Sequence, residues 1–257
     1  MTPLLQLDAV TKRFGGLCAV SAAALDVQAG HAHGIIGPNG AGKTTLFNLI
    51  TGIYAPDEGT IRFEGAKIAG LRPNQIAARG IGRTFQNIRL CRELTVLDNV
   101  RMAFDVRLKS SPWAAMLNLP SHQREERRSI DGSMELLEAF DMASYAELKA
   151  GGLPYGLQRR LEIARALALK PRLLLLDEPA AGMNSAETLR LMEFLRWVRE
   201  HFAVTLVLIE HHMKLVMGLC DQITVLDFGV TIAHGTPAEI QGNRRVIDAY
   251  LGEEAET

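Results

Sequence analysis

An α/β fold is predicted by three features of the sequence. Apolar and polar residues alternate near the amino end, convincing strands are missing from about Ile88 to Leu169, and strands and helices alternate from Leu173 onward. The alternation (Leu4-Leu5-Gln6-Leu7, then Ala24-Leu25-Asp26-Val27) is that of short antiparallel strands with one buried face, and Phe14-Gly15-Gly16 supplies a turn between them. Ala32–Ile36 reads as a buried strand entering a glycine-rich loop, after which Thr44–Ile50 continues at helical spacing. A strand returns at Gly59–Phe63. Helix-forming stretches such as Arg124–Phe140 fill the middle, with a loose segment, Lys109–His122, that holds Trp113. Then come Leu173–Leu176, a helix near Ala186–His201, Val204–Ile209, another helix and Ile223–Asp227. Helices crossing between successive strands imply a parallel sheet. The expected organisation is one domain over 1–257. Its core with parallel sheet and its N-terminal antiparallel β subdomain lie in 1–87 and 166–257, and an inserted α-helical subdomain spans about 88–165.

Composition excludes several classes. The chain has 257 residues, 28 Lys+Arg and 29 Asp+Glu, a formal net charge of −1. A nucleic-acid binder would carry a basic excess, so no nucleic-acid partner is expected. Arg124-Glu125-Glu126-Arg127-Arg128 mixes signs and fits a solvated helix face better than a phosphate-binding patch. Apolar runs such as 203–209 fall far short of the ~20 residues that span a bilayer. The amino end lacks a basic region followed by a long apolar stretch, so no secretory signal is expected. Cys18, Cys91 and Cys220 are scattered and unpaired by spacing, as in a reducing compartment.

Residues 37–44, Gly37-Pro38-Asn39-Gly40-Ala41-Gly42-Lys43-Thr44, fit the phosphate-binding pattern G-x-x-x-x-G-K-[ST]. Gly37, Gly40 and Gly42 allow a turn tight enough for several N–H groups to face one anion. The helix opening near Lys43, with Thr45 in its first turn, adds its positive end. Lys43 brings a cation to the outer phosphates, and the Thr44 hydroxyl can complete a Mg²⁺ shell. This predicts a nucleotide site. The apolar strand Leu173–Leu176 ends in Asp177 and Glu178, and a parallel sheet delivers such carboxylates to the edge where ligands bind. Asp177 is expected to hold Mg²⁺ through water, and Glu178 to orient and deprotonate an attacking water. A strand merely ending in solvated acids is the alternative.

Between these anchors lies Leu153-Pro154-Tyr155-Gly156-Leu157-Gln158-Arg159-Arg160-Leu161-Glu162. With the loop at 37–44 and Leu176-Asp177-Glu178-Pro179, it resembles the ATP-binding-cassette ATPases, whose signature normally reads LSGGQ. The resemblance covers essentially the whole chain and implies a P-loop NTPase core that uses ATP and Mg²⁺. It implies a Q-loop glutamine at Gln86 touching Mg²⁺ and the membrane partner, a switch histidine at His211 contacting the γ-phosphate, and an adenine-stacking aromatic at Phe14. It also implies that Tyr155, Gly156 and Leu157 cap the ATP of a second ATPase subunit in trans. The stretches Arg83–Leu97, Arg159–Ala166, Asp177–Asn184 and Ile209–Met217 are similar to the ATPases of branched-chain (hydrophobic) amino acid importers. The material at Asp105–Asp131 looks like that of the longer of their two ATPase subunits. Such a subunit sits on the cytoplasmic face of the membrane against permease subunits, served indirectly by a binding protein. A soluble relative uncoupled from transport, or one serving another cargo, shares the same motifs.

Departures from that pattern carry mechanistic weight. Pro154 stands where the signature has Ser and offers neither hydroxyl nor N–H; Leu157 stands where it has Gln. The helix amino end is expected near Leu157. Asn184 replaces the usual Asp of the loop after the carboxylates. His211 and His212 fall on opposite faces of an extended segment, which argues against shared metal ligation. His31 and His33 share a strand face but lack a third ligand, so satisfied or solvent-facing histidines are expected there.

Overall fold

The computed structural model describes residues 2–105 and 120–254. The Trp113 segment and most of the stretch expected to distinguish the longer subunit lie outside the described residues. The chain divides into two compact units, Met1–Gln86 with Arg172–Thr257, and Asn87–Pro171.

The first unit holds two sheets. Strands β1 (Leu5–Phe14), β2 (Leu17–Val27), β4 (Glu58–Phe63) and β5 (Ala66–Lys67) form an antiparallel sheet in the order β2-β1-β4-β5. The other sheet contains β3 (Ala32–Ile36), β6 (Ile81–Arg83), β7 (Leu173–Asp177), β8 (Thr205–Ile209), β9 (Gln222–Asp227) and β10 (Val230–Gly235). Its order is β10-β9-β3-β8-β7-β6, parallel from β6 to β9, with β10 returning antiparallel. Every residue of β3, β7 and β8 is buried, as the continuous apolar runs of interior parallel strands require. Helix α1 (Lys43–Ile50) turns Leu46, Phe47, Leu49 and Ile50 into a core shared with Leu5, Leu25, Ile61, Leu175 and Val207. Each such buried side chain contributes about 1.5–3 kcal/mol.

Register explains where the chemistry lands. Ile35 and Asp177 both lie level with Ile209. The loops leaving β3, β7 and β8 therefore emerge together at one sheet edge, as the rule for open parallel sheets requires. Beyond them, α6 (Ser185–His201) follows β7 and α7 (Met213–Leu219) follows β8. The sequence pattern did not register β6, which is too short for a period, or β10, an exposed edge strand. It also passed over the short helix α2 (Pro73–Ala78), α8 (Pro237–Gln241) and the terminal α9 (Arg244–Glu254).

The second unit is helical. It contains helices α3 (Val96–Asp105), α4 (Pro120–Ala139) and α5 (Tyr155–Ala168). Two short 3-10 turns lie between α4 and α5, and an isolated bridge pairs Thr95 with Lys149. Helix α5 begins at Tyr155 with Pro154 as its N-cap, two residues before the expected start. Proline's fixed φ, here −53°, suits a helix entrance and lets the pattern begin earlier than Leu157. The helix runs on to Ala168, and this compact unit ends at Pro171. Arg159 and Glu162 pair within it at 2.8 Å, both side chains buried.

Candidate functional site: a phosphate cradle beside a held carboxylate

The glycine-rich loop is folded as its residue types demand. Gly37 has φ 149° and Gly42 φ 94°, and a Cβ at either would run into a backbone carbonyl, of Leu226 and of Ala19 respectively. Gly40, with φ 77°, faces open space. Lys43 Nζ donates to the carbonyls of Gly37 (2.7 Å) and Pro38 (2.8 Å), so the ammonium is held under the turn. The Ala41 N–H donates to the Pro38 carbonyl at 3.2 Å, and the Gly229 N–H to the Ala41 carbonyl at 3.0 Å. Helix α1 then starts after Gly42 with no side-chain cap. Its first-turn N–H groups give the positive end that binds anions.

This helix end opens onto a cleft of about 390 Å³. Asn39–Thr45 and Glu178 line one part, and Phe14, Leu17, Cys18 and Phe228 line another. Polar donors at one end and apolar surface at the other suit a nucleotide, with phosphates on the loop and a base on the aromatics. Phe14 packs edge-on against Tyr54, centroids 5.0 Å apart, and keeps 40% of its surface exposed. Gly37 and Pro38 turn their carbonyls to Lys43 and do not line the cleft.

Asp177 and Glu178 diverge. Asp177, buried at the end of β7, accepts from Arg83 Nη2 at 2.8 Å. Arg83 also donates from Nη1 to Asn48 Oδ1 (2.8 Å) and Thr51 Oγ1 (3.1 Å), and lies over the rings of Phe47 and Phe85. Sequence reasoning missed Arg83; its only signal was its place three residues before Gln86. Glu178 takes a left-handed backbone, φ 45°. Its Oε2 accepts from Gln86 Nε2 at 2.6 Å, and its Oε1 lies 2.7 Å from His211 Nε2. Gln86 and His211, expected to act in metal contact and catalysis, thus converge on the carboxylate of Glu178.

Hard oxygens lie on or next to the cleft: the Thr44 hydroxyl and the Glu178 carboxylate line it, Gln86 is hydrogen-bonded to Glu178, and Asp177, which precedes Glu178 in sequence, is held by Arg83 outside the lining. Among the described residues no group of three or more His, Cys, Asp or Glu could itself hold a metal. Few protein oxygens beside a phosphate cradle is the donor set that suits Mg²⁺ bound largely through phosphates and water. The residues therefore fit a Mg–nucleotide.

The other histidines lie elsewhere, and His31 is not the satisfied or solvent-facing ring expected, because its Nδ1 is buried without a hydrogen-bond partner. His212 is the N-cap residue of α7 and, with His211, lines a second cavity of about 460 Å³ beside Met183, Met192 and Met213; His211 does not line the nucleotide cleft and reaches it through Glu178. His33 Nε2 lies 2.9 Å from Thr224 Oγ1, and its ring stacks on His234 at 5.6 Å. Burial, reinforced by His234 and His31, pushes His33 down to about 3. Asn184 caps α6: its Oδ1 accepts the N–H groups of Ala186 and Glu187 at 3.0 Å each, while Glu187 accepts the Asn184 N–H.

In the second unit, Tyr155 and Gly156 are exposed and Leu157 half-buried in the first turn of α5. No side chain caps this helix. Arg159 Nη2 donates to the Tyr155 hydroxyl at 3.2 Å, and Gln158 Nε2 to the Leu153 carbonyl at 2.7 Å.

Comparison with known proteins gives consistent results. The family described as ABC transporter matches residues 20–181, and that described as branched-chain amino acid ATP-binding cassette transporter matches 230–256. The chain is 45% identical, over 98% of both chains, to the high-affinity branched-chain amino acid transport ATP-binding protein BraF of Pseudomonas aeruginosa. It is equally similar, over the same shares, to LivG of Escherichia coli K12. Among solved structures, the ADP conformation of MJ1267, an ATP-binding cassette of an ABC transporter, superposes with a TM-score of 0.84. That match is 29% identical and covers 98% of this chain and 100% of the other. Sequence, fold and cradle agree: the chain belongs to the ABC transporter family, as one of its ATP-hydrolysing cassettes.

Proposed function

We propose that this chain is the ATP-hydrolysing subunit of an importer of branched-chain or other hydrophobic amino acids, driving a separate membrane permease. The observation that carries the cargo is the similarity to BraF and LivG along 98% of the chain, joined by the branched-chain match at 230–256. Among the described residues no helix is long and apolar enough to cross a membrane. In this reading the passage belongs to permease subunits, with this chain peripheral on their cytoplasmic face and a binding protein supplying cargo on the other, as the similarity to BraF and LivG supports. A second ATPase subunit, identical or paralogous, completes the pair.

The residues divide the work by chemistry. The loop N–H groups from Asn39 to Thr45 and the Lys43 ammonium bind the phosphates of ATP and offset charge that builds up in the transition state. Phe14 offers an apolar face for adenine. Thr44, Gln86 and Asp177 would hold Mg²⁺, which lowers the charge on the transferring phosphate when bound. Glu178 accepts the proton of the attacking water as its oxygen bonds to the γ-phosphorus and the bond to ADP breaks. His211 orients Glu178 and meets the γ-phosphate. Tyr155, Gly156 and Leu157 cap the nucleotide of the second subunit. Closing the pair on ATP and reopening it after hydrolysis gates the permease.

Reconstitution tests the reading. The chain, co-expressed with its permease and second ATPase subunit in vesicles, is expected to drive ATP-dependent leucine uptake that Glu178→Gln abolishes. Purification from native membranes without any integral membrane protein would overturn it.

A further inference from the structure

Glu210 touches both loops that carry the catalytic side chains. It follows β8 and is 1% exposed. Its Oε1 accepts the N–H of Ala180 at 2.7 Å, and its Oε2 accepts those of His211 (3.0 Å) and His212 (3.2 Å). Ala180 lies two residues beyond Glu178, and the Glu178 N–H itself donates to the Ile209 carbonyl at 2.9 Å. Glu178 also holds a left-handed backbone, φ 45°, which a residue with a Cβ keeps only when its surroundings enforce it.

We propose that Glu210 is a positioning residue. Its carboxylate clamps the backbone after β7 to the backbone after β8, and so keeps Glu178 within hydrogen-bond reach of His211. The inference rests on the reading of Glu178 as base and His211 as its partner. The position demands a carboxylate because backbone donors reach it from both loops and an ionised carboxylate accepts on both oxygens. A glutamine in its place accepts on one oxygen and turns an NH₂ toward N–H groups at the other. Aspartate is one methylene short of spanning both loops. Glu210 does not line the nucleotide cleft. It acts through Glu178 and His211, so its removal affects the chemical step and leaves nucleotide binding in place.

The test uses the full chain assembled with its membrane subunits, with kcat expressed per nucleotide-binding site titrated by ADP. Glu210→Gln is expected to lower kcat about 10-fold and Glu210→Ala about 100-fold, the scale of a reacting group displaced by ~1 Å. The KM for ATP and the ADP affinity are expected to stay within about 2-fold, because the cradle is untouched. A role confined to stability would reduce the number of competent sites and leave kcat per site unchanged, and that result overturns the proposal. So does a parallel loss of affinity and kcat. Should Glu210→Ala fail to fold, the isosteric Glu210→Gln carries the test. Glu178→Gln and His211→Ala are measured alongside. If they turn over normally the reading of the site fails; if they are inactive while both Glu210 variants turn over normally, only this inference fails.

Discussion

The Glu178 carboxylate and the His211 imidazole meet at 2.7 Å although they stand 33 residues apart in sequence, at the ends of neighbouring strands β7 and β8. The pairing of Asp177 with Ile209 sets this meeting, because each side chain lies within two residues of that register point. Gln86 completes the arrangement from the other side at 2.6 Å. A carboxylate held from two directions before substrate arrives is oriented without further reorganisation, which favours its use as a base.

Glu178→Gln keeps the volume and removes the proton acceptor. Loss of a general base costs 10²–10⁴-fold, so turnover is expected to fall about 1,000-fold. ATP affinity is expected to change by less than about 3-fold, because the phosphate cradle is intact. Phosphate release and calorimetric titration measure the two, and substantial residual turnover would contradict the assignment.

The loop glycines are expected to differ in what they tolerate. Gly37→Ala puts a Cβ against the Leu226 carbonyl at φ 149° and is expected to destabilise the fold by roughly 3 kcal/mol. Gly40→Ala meets open space and bears only the left-handed backbone cost, about 1–2 kcal/mol. Urea unfolding of the two variants ranks them, and the reverse order would refute this account of the loop.

Arg83 and Asp177 form a pair whose side chains are only 7% and 6% exposed. Removing one partner leaves the other charge buried and unpaired, which costs about 3–5 kcal/mol. Arg83→Met is therefore expected to lower unfolding stability by that amount. Arg83→Lys keeps the charge but loses the planar fork that serves Asp177, Asn48 and Thr51 together, so an intermediate loss is expected.

What the sequence revealed follows from range. The cradle was legible because its residues are contiguous and each glycine answers a local backbone need. Asp177 and Glu178 were legible as the end of an apolar strand. The bracketing of Glu178 by Gln86 and His211 was not, because strand order alone brings those segments together. Arg83 and Glu210 were invisible for the same reason: a charged residue announces its burial only through partners distant in sequence. Asn184 showed as a departure from a motif, yet its observed partners are the N–H groups of its own helix. Strand β6 escaped because a few residues carry no period.

His33 makes stability depend on pH. Its folded value lies near 3, pushed down first by burial, against 6.5 in the unfolded chain. The unfolded state therefore binds the proton that the folded state refuses. The stabilisation is fully present above pH 6.5 and is lost as pH falls from there toward 3, by up to about 1.4 kcal/mol per pH unit. His33→Leu leaves Thr224 bonded to His234 at 3.1 Å and removes the titrating group. Its stability is expected to fall less steeply between pH 6 and pH 4 than that of the natural chain, with no difference in slope above pH 7. Urea unfolding across that range measures both slopes, and equal slopes would exclude His33 as the source.

Pro154 joins helix stability to turnover in one substitution. It is the N-cap of α5, with φ −53° and ψ 149°, and supplies no side-chain acceptor for the first helical turn. Serine fits the same backbone and can accept the N–H of Gly156 or Leu157, a cap contributing about 0.5–2 kcal/mol, partly offset by the lost rigidity of proline. Pro154→Ser is thus expected to raise the stability of the helical unit modestly. If the signature caps the partner's nucleotide, the new hydroxyl also restores a donor toward the γ-phosphate, and the ATPase rate of the assembled complex is expected to rise. Thermal unfolding and steady-state phosphate release separate the two effects. A stabilised chain with an unchanged rate would confine the influence of Pro154 to the helix and show that turnover is not limited there.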